Sequence, residues 1–363
     1  MPTHTPTHAV PAPDRFPAAY ALLRQAIHDR AFPGCAFGLF VHGDVVLLDA
    51  LGNFTYAADS NPVLPTTVYD VASITKVAVT TAAAMLLHQR GHLDLDTRLG
   101  DLLPAFVIGR DPAEKARQVT LRHLLAHTSG LPAYEPLYAT ATTPFALLRA
   151  CLELPLKTPP GTHAEYSDHG FILLAKALET ITHEHLATWI SRELFLPLGM
   201  TSSRHCPSPD QRPHIPPTEI DEFFRQRILQ GEVQDEHAFI LKGAGGHAGL
   251  FSNVPDLLRF AQELISPADI LHPATVDLFA TPQPPAGSSR ALGWDTPSPD
   301  SSAGSLFGPG TIGHLGYSGC SLWIDRTARI AAVLLTNRTW PDRSSQAIRQ
   351  LRPAFHNALR AAL

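Results

Sequence analysis

Strand-like sequence is confined to two places far apart in this chain, and that separation limits what it can build. The first is "CAFGLFVHGDVVLLDALG", residues 35–52, with two β-rich runs around His42-Gly43-Asp44, a hairpin signal. The second comes late, in "GCSLWID" (319–325) and "RIAAVLLTNR" (329–338), which read as neighbouring strands. Between them the sequence is mostly helical. "LRHLLAHTSG" stops at a glycine, "DHGFILLAKALETI" is amphipathic, and "LATWISRELF" runs into "LPLGM". Helical patterns also bracket the whole. Ala19, Leu22, Leu23, Ala26 and Ile27 recur at helical spacing near the start, and Ile348, Leu351, Phe355, Ala358, Leu359 and Ala362 share one face near the end.

Strands that meet only after a long helical excursion predict an α/β (α+β) chain. One antiparallel sheet is flanked by terminal helices, and a mainly helical domain is inserted. The 363 residues exceed what one simple core usually fills. The expected division is a disordered lead-in at 1–15, a discontinuous sheet domain at 16–80 plus 240–363, and a helical insertion at 81–239. Prolines gather around 207–217 and 282–309, which predicts loops. "GAGGHAG" (243–249) matches neither phosphate-loop pattern and predicts a tight turn before a helix, with Ser252 or Asn253 as N-cap and Pro255 in the first turn.

One residue does not suit this packing scheme. In "DVASITKVAVT", residues 70–80, an apolar helical run carries a single lysine, Lys76. Burying an unpaired ammonium is costly, so a partner is needed. Ser73 stands three residues back, and positions i and i+3 share a helix face. A hydroxyl beside an amine at a helix start, at the junction of the two predicted domains, is a way to make a nucleophile.

Composition narrows the alternatives. The formal charge is −5 with acids and bases interspersed, so no basic stripe suggests nucleic acid. No apolar run reaches the ~18–20 residues of a membrane span. "MPTHTPTHAVPAPDRF" lacks an apolar h-region, which leads to the expectation of a cytoplasmic protein. Cys35, Cys151, Cys206 and Cys320 are widely spaced and predict free thiols. His123 and His127 stand at i and i+4, but without a third ligand or the Glu of H-E-x-x-H they predict no metal site. No cofactor motif is present.

Three pieces taken together carry a resemblance: Ser73-Ile74-Thr75-Lys76, then Tyr166-Ser167-Asp168, then His314-Leu315-Gly316. In this order the sequence resembles the serine β-lactamase and DD-peptidase superfamily, particularly its class C-like branch with related esterases and amidases. "LLAHTSGLP", "FLPLGM" and "GYSGCSLWID" are similar to that branch, and the likeness spans nearly the whole chain. Residues 230–253 are similar more narrowly to the group around bacterial N-acetylmuramyl-L-alanine amidases and penicillin-binding protein 4B.

The resemblance implies a serine hydrolase that needs no metal and works through an acyl-enzyme. Ser73 is then the nucleophile, Lys76 a base whose pKa an apolar setting would lower, and Tyr166 its partner in proton transfer. The backbone N–H groups of Ser73 and Tyr317 form the oxyanion hole, and Asp168, His314, Leu315 and Gly316 meet the substrate. Two positions depart from the usual pattern. Asp168 replaces an Asn, so it either pairs with Lys76 or receives a substrate N–H. His314-Leu315 replaces a Lys- or His-Thr pair, which removes a hydroxyl and makes the charge conditional. Strong β-lactamase activity is therefore not expected. The implied substrate is a peptidoglycan-derived muropeptide. A small acyl ester is the alternative, and a penicillin-binding sensor or non-catalytic binding module is the reading from another class. Oligomeric state stays open.

Overall fold

The computed structural model describes residues 9–268 and 270–363. Strands β1 (Gly34–Val41) and β2 (Asp44–Gly52) form the expected hairpin. Val41 pairs with Asp44, leaving His42-Gly43 as a two-residue turn with φ of 54° and 117°. Positive φ at both central residues matches the twist of the flanking strands. The next strands are short: β3 (Tyr69–Asp70), β4 (Arg204–His205), β5 (Glu219–Asp221), β6 (Arg227–Leu229) and β7 (Leu250–Ser252). The late strands are β8 (Thr311–Leu315), β9 (Ser321–Asp325) and β10 (Ile330–Thr336).

The main sheet is antiparallel in the order β2-β1-β10-β9-β8. Its central pairing runs from Cys35 opposite Thr336 to Val41 opposite Ile330, so the two distant strand regions are joined at the middle of the sheet. Side chains alternate between its faces. Phe37, Leu39, Trp323 and Leu334 pack with Tyr20 and Leu23 of the helix Pro17–His28 and with Leu351 and Phe355 of the helix Ile348–Ala361. Ala36, Leu322, Val333 and Leu335 join the larger core, which includes Leu257 and Leu258 of the helix Val254–Ile265 and Met85, Phe171 and Leu174 from the middle of the chain. Asn253 is the N-cap of that helix, its side chain accepting the Asp256 N–H at 3.0 Å.

The middle of the chain is less purely helical than expected. β3, β7 and β4 form a small sheet, and β5 and β6 a hairpin. Strands of two or three residues are too short to leave a periodic signal. The turn between β5 and β6 is set instead by the Asp221 carboxylate, which accepts the N–H groups of Phe223, Phe224 and Arg225. Of the expected lead-in, residues 1–8 lie outside those described. Val10 already exchanges backbone hydrogen bonds with Leu48 at 2.8 and 3.0 Å. No helix among the described residues is long and apolar enough to cross a membrane.

Candidate active site

The chain leaves β3 at Asp70, bends through Ala72 and reaches Ser73. Ala72 sits at φ 48°, a left-handed conformation that costs a non-glycine residue on the order of 1–3 kcal/mol. The buried Asp70 carboxylate holds the bend, accepting the Ala72 N–H at 2.9 Å and the Gln234 N–H at 2.8 Å. Burial pushes its pKa up to about 6. After Ser73 the backbone turns helical, and from Lys76 to Thr81 it adopts π-helical bonding before the α-helix Ala82–Gln89. Such π segments often mark functional sites, and nothing in the residue pattern signals this one. Ser73 opens onto a cavity of ≈ 690 Å³ whose wall includes Tyr166, Asp168, Arg290, His314 and Tyr317.

Lys76 is fully buried. Its Nζ donates to Ser73 Oγ at 2.9 Å and to the His247 carbonyl at 3.0 Å, and it forms an ion pair with Asp168 Oδ1 at 2.6 Å. Asp168 is the first residue of the helix Asp168–Thr182, whose N-cap is Ser167, so the carboxylate sits where a helix dipole favours negative charge. The Tyr166 ring lies 4.9 Å from Lys76 Nζ. His127 packs on that ring at 4.6 Å between centroids, and its Nδ1 accepts the Ser167 N–H at 3.0 Å. The structure thus brings Ser73, Lys76, Tyr166 and Asp168 together.

Electrostatics correct one expectation. Burial alone would lower the Lys76 pKa, as the sequence suggested, but the Asp168 charge opposes it and the net shift is upward. Tyr166 is raised by burial, with Lys76 pulling it back. The resting site is therefore an ammonium facing a carboxylate, with a neutral tyrosine. Burial, with Lys76 adding to it, pushes His314 down to about 3. His314 is neutral near pH 7, and its Nδ1 lies 2.8 Å from the Leu315 carbonyl, which makes that nitrogen the donor.

The end of β8 closes the site. Gly316 lies so near the segment leading to Ser73 that a Cβ there would stand 2.4 Å from the Val71 carbonyl oxygen. Ser318 Oγ donates to the Asp70 carbonyl at 2.8 Å. Tyr317 lies between these two contacts and, like Ser73, lines the cavity. Leu315 lines the cavity and packs with the core of the terminal helices. The turn is also gripped by Arg352, whose guanidinium donates to the carbonyls of Gly316 (2.6 Å), Cys320 (2.8 Å) and Gly319 (3.3 Å). Sequence reasoning placed the C-terminal helix but missed this arginine.

His123 and His127 do not act as a pair. His123 Nδ1 accepts the Thr120 N–H at 3.2 Å as part of a helix cap, while His127 faces Tyr166. A different group converges: donor atoms of Asp235, His237 and His247 all lie within 4.8 Å of one another. The D-x-H at 235–237 was visible in the sequence, but His247 joins it only through the fold. The glycine-rich loop read as a simple turn also supplies backbone carbonyls to Lys76 and, from Gly246 at 2.6 Å, to Thr80 Oγ1.

Residues 20–354 match the Beta-lactamase family. A putative D-alanyl-D-alanine carboxypeptidase of Escherichia coli K12 is 30% identical over 308 residues, covering 75% of this chain and 69% of the relative. An N-acetylmuramyl-L-alanine amidase of Bacillus subtilis 168 is 30% identical over 302 residues, covering 75% and 68%. Among solved structures, a penicillin-binding protein homologue from Caulobacter crescentus superposes with a TM-score of 0.76 at 18% identity, covering 97% of this chain and 99% of that one. EstCE1, a hydrolase with promiscuous acyltransferase activity, gives 0.75 at 22% identity, covering 94% and 98%. At those identities the superpositions speak for the fold, whereas the family match spans nearly all of the chain: it belongs to the Beta-lactamase family and is a serine hydrolase of that family.

Proposed function

We propose that this chain cleaves an amide of a peptidoglycan-derived muropeptide through an acyl-enzyme on Ser73. The observation that carries the reading is the contact chain Ser73 Oγ–Lys76 Nζ–Asp168, at 2.9 and 2.6 Å, on the wall of the cavity. Ser73 Oγ attacks the carbonyl carbon. Its proton passes to Lys76 as Lys76 hands one of its own to Asp168, so the amine becomes an acceptor only during attack. The backbone N–H groups of Ser73 and Tyr317 hold the oxyanion. Losing one such donor typically costs ~10²–10³ in rate. Collapse breaks the C–N bond, and the leaving amine takes its proton by way of Tyr166. Water then repeats the sequence on the acyl-enzyme. No step requires a metal-bound nucleophile.

Two things favour a muropeptide. The relatives at 30% identity are named for D-alanyl-D-alanine carboxypeptidase and N-acetylmuramyl-L-alanine amidase activities. Arg290, Arg338 and Arg349 line the cavity, offering cations to the carboxylates of a peptide stem. A small acyl ester is the second reading, favoured by a neutral His314 and an apolar Leu315 where a carboxylate anchor would stand. A side-by-side panel of muramyl peptides, p-nitrophenyl esters and nitrocefin tests both, with mass spectrometry of a serine-directed phosphonate adduct. Amide cleavage with the adduct on the Ser73 peptide is expected. Turnover of esters alone replaces the first reading with the second, and an adduct on another serine removes both.

A further inference from the structure

Behind the cavity wall lies a group of side chains that acyl transfer does not use. Asp235 is the N-cap of the short helix Glu236–Ile240, its Oδ1 accepting the Ala238 N–H at 2.8 Å. His237 is in the first turn of that helix. His247 comes from the glycine-rich loop that holds Lys76. The three donor atoms fall within 4.8 Å of one another.

Two features of this group lack an explanation in protein contacts alone. His237 is fully buried, and neither ring nitrogen has a hydrogen-bond partner among the described residues. A buried polar group left so gives up its hydration without replacement. Its surroundings are the rings of Tyr134, Tyr138, His169 and His247, at 5.3 to 6.4 Å between centroids. His169 is already engaged, its Nε2 accepting the Glu135 N–H at 2.8 Å. His247 presents the second feature. Its Nδ1 lies 3.1 Å from the Gly245 carbonyl and its Nε2 2.8 Å from Asp235 Oδ1. Both neighbours are acceptors, and a neutral imidazole carries one N–H. Either the ring is an imidazolium paired with Asp235, which leaves His237 unexplained, or the neutral ring and the carboxylate part slightly to share a cation.

We propose that Asp235, His237 and His247 bind a divalent transition-metal ion of the zinc class. Two imidazoles and a carboxylate are a donor set that suits zinc, and three protein ligands leave one position open. The Nδ1–H of His247 then donates to the Gly245 carbonyl, the kind of backbone partner that orients a metal-binding histidine. Bonds of ~2.0–2.1 Å place tetrahedral donors about 3.3 Å apart, so the Asp235–His247 pair, 2.8 Å apart here, opens by roughly half an ångström while His237 moves in toward it. Asp235 also lines the catalytic cavity, which puts the ion at its wall. Among the described residues, the hydrogen bond from Lys76 to this site goes to the His247 carbonyl, so the ion braces the loop behind Lys76 and stays outside the acyl-transfer steps.

The test is metal binding itself, on untagged protein stripped with chelator. Titration with Co²⁺ and Zn²⁺ is followed by calorimetry and by the visible d–d bands of Co²⁺, and X-ray absorption of the zinc form counts imidazoles. The expected result is about one equivalent in a two-imidazole shell. His237→Ala and Asp235→Asn should each weaken binding by roughly a hundredfold or more, and His123→Ala should leave it unchanged. No saturable binding, binding that survives both variants, or loss on His123→Ala overturns the proposal. Should His237→Ala fail to fold, the wild-type shell decides alone, since a shell without two imidazoles rules this site out. Phosphonate labelling of Ser73 in metal-free protein tests the hydrolase reading separately.

Discussion

Lys76 and Arg352 are both buried cations at the Ser73 cavity, 0% and 6% exposed, yet each is satisfied in a different way. The lysine faces a carboxylate, and although burial is the largest influence on it, Asp168 and Tyr166 together outweigh the burial that would discharge it. The arginine faces three backbone carbonyls, and although burial pushes its pKa down to about 10 it stays charged near neutrality. A lysine next to a carboxylate can exchange a proton, whereas a guanidinium keeps its proton and offers a rigid fork. A group able to exchange a proton thus stands on the Ser73 side of the β8–β9 turn, and shape is held from the other.

The largest effect should come from breaking the chemical side. Lys76→Ala should cut the rate of Ser73 acylation by ~10²–10⁴ while the protein stays folded, and Tyr166→Phe should fall toward the lower end of that range. Burst kinetics with an activated ester, beside circular dichroism, reads both quantities. A Lys76→Ala variant with near-normal acylation would make the lysine a packing residue and dissolve the contrast.

Arg352→Ala should do the reverse. Hydrogen bonds to charged groups contribute ~1.5–3 kcal/mol each, and several carbonyls lose their donor together. A stability loss of roughly 2–4 kcal/mol is expected, with a rate loss nearer tenfold as the Tyr317 N–H drifts. Chemical denaturation and kcat/KM measured on the same preparation separate the two. Equal damage to rate by both variants, with Arg352→Ala as stable as the wild type, would mean that the arginine acts in the chemistry.

Asp168→Asn sharpens the comparison from within. Asp168 raises the Lys76 pKa, so removing its charge leaves burial to lower it. The variant has no carboxylate to take the lysine's proton, so it must start from the neutral amine, and a limb set by Lys76 should enter its kcat/KM profile where the wild type has none from this residue. Loss of the proton acceptor should at the same time cost roughly ten- to a hundredfold at the optimum. A profile with no new limb would show that something other than this carboxylate sets the lysine's charge.

These contrasts also mark what could be read in the sequence. Ser73 and Lys76 were legible because i and i+3 on one helix are neighbours whatever else the chain does. The hairpin at His42-Gly43 and the pairing of β9 with β10 were legible for the same reason, since turn chemistry and alternation are local. Lys76 meets His247, 171 positions on, and Arg352 meets Gly316 across 36. No periodicity encodes such contacts. The direction of the Lys76 shift was missed because it depends on a carboxylate 2.6 Å away. A sequence that shows Asp in place of Asn leaves its partner open.

The smallest expected effect tests whether the structural side carries its own pH dependence. His356 lies one helical turn beyond Arg352, fully buried, with Nδ1 2.7 Å from the Ser302 carbonyl and Nε2 3.2 Å from Ser321 Oγ. Burial, with the Arg352 charge adding to it, holds its pKa down at about 4. In the unfolded chain the same imidazole titrates near ~6.5. As pH falls, the unfolded state takes up the proton first. The stability contribution is therefore present above the unfolded value and is lost progressively as pH falls toward the folded one. Between about pH 7 and 5 that amounts to about 1–2 kcal/mol. His356→Gln keeps an N–H for the Ser302 carbonyl and cannot titrate, so its melting temperature should fall less over that interval than that of the wild type. The acid limb of kcat/KM should stay where it was, because Lys76, Tyr166 and Asp168 are untouched. Parallel melting curves for the two proteins would mean that His356 is already protonated in the fold, and a displaced kinetic limb would show that the two sides of the turn titrate as one.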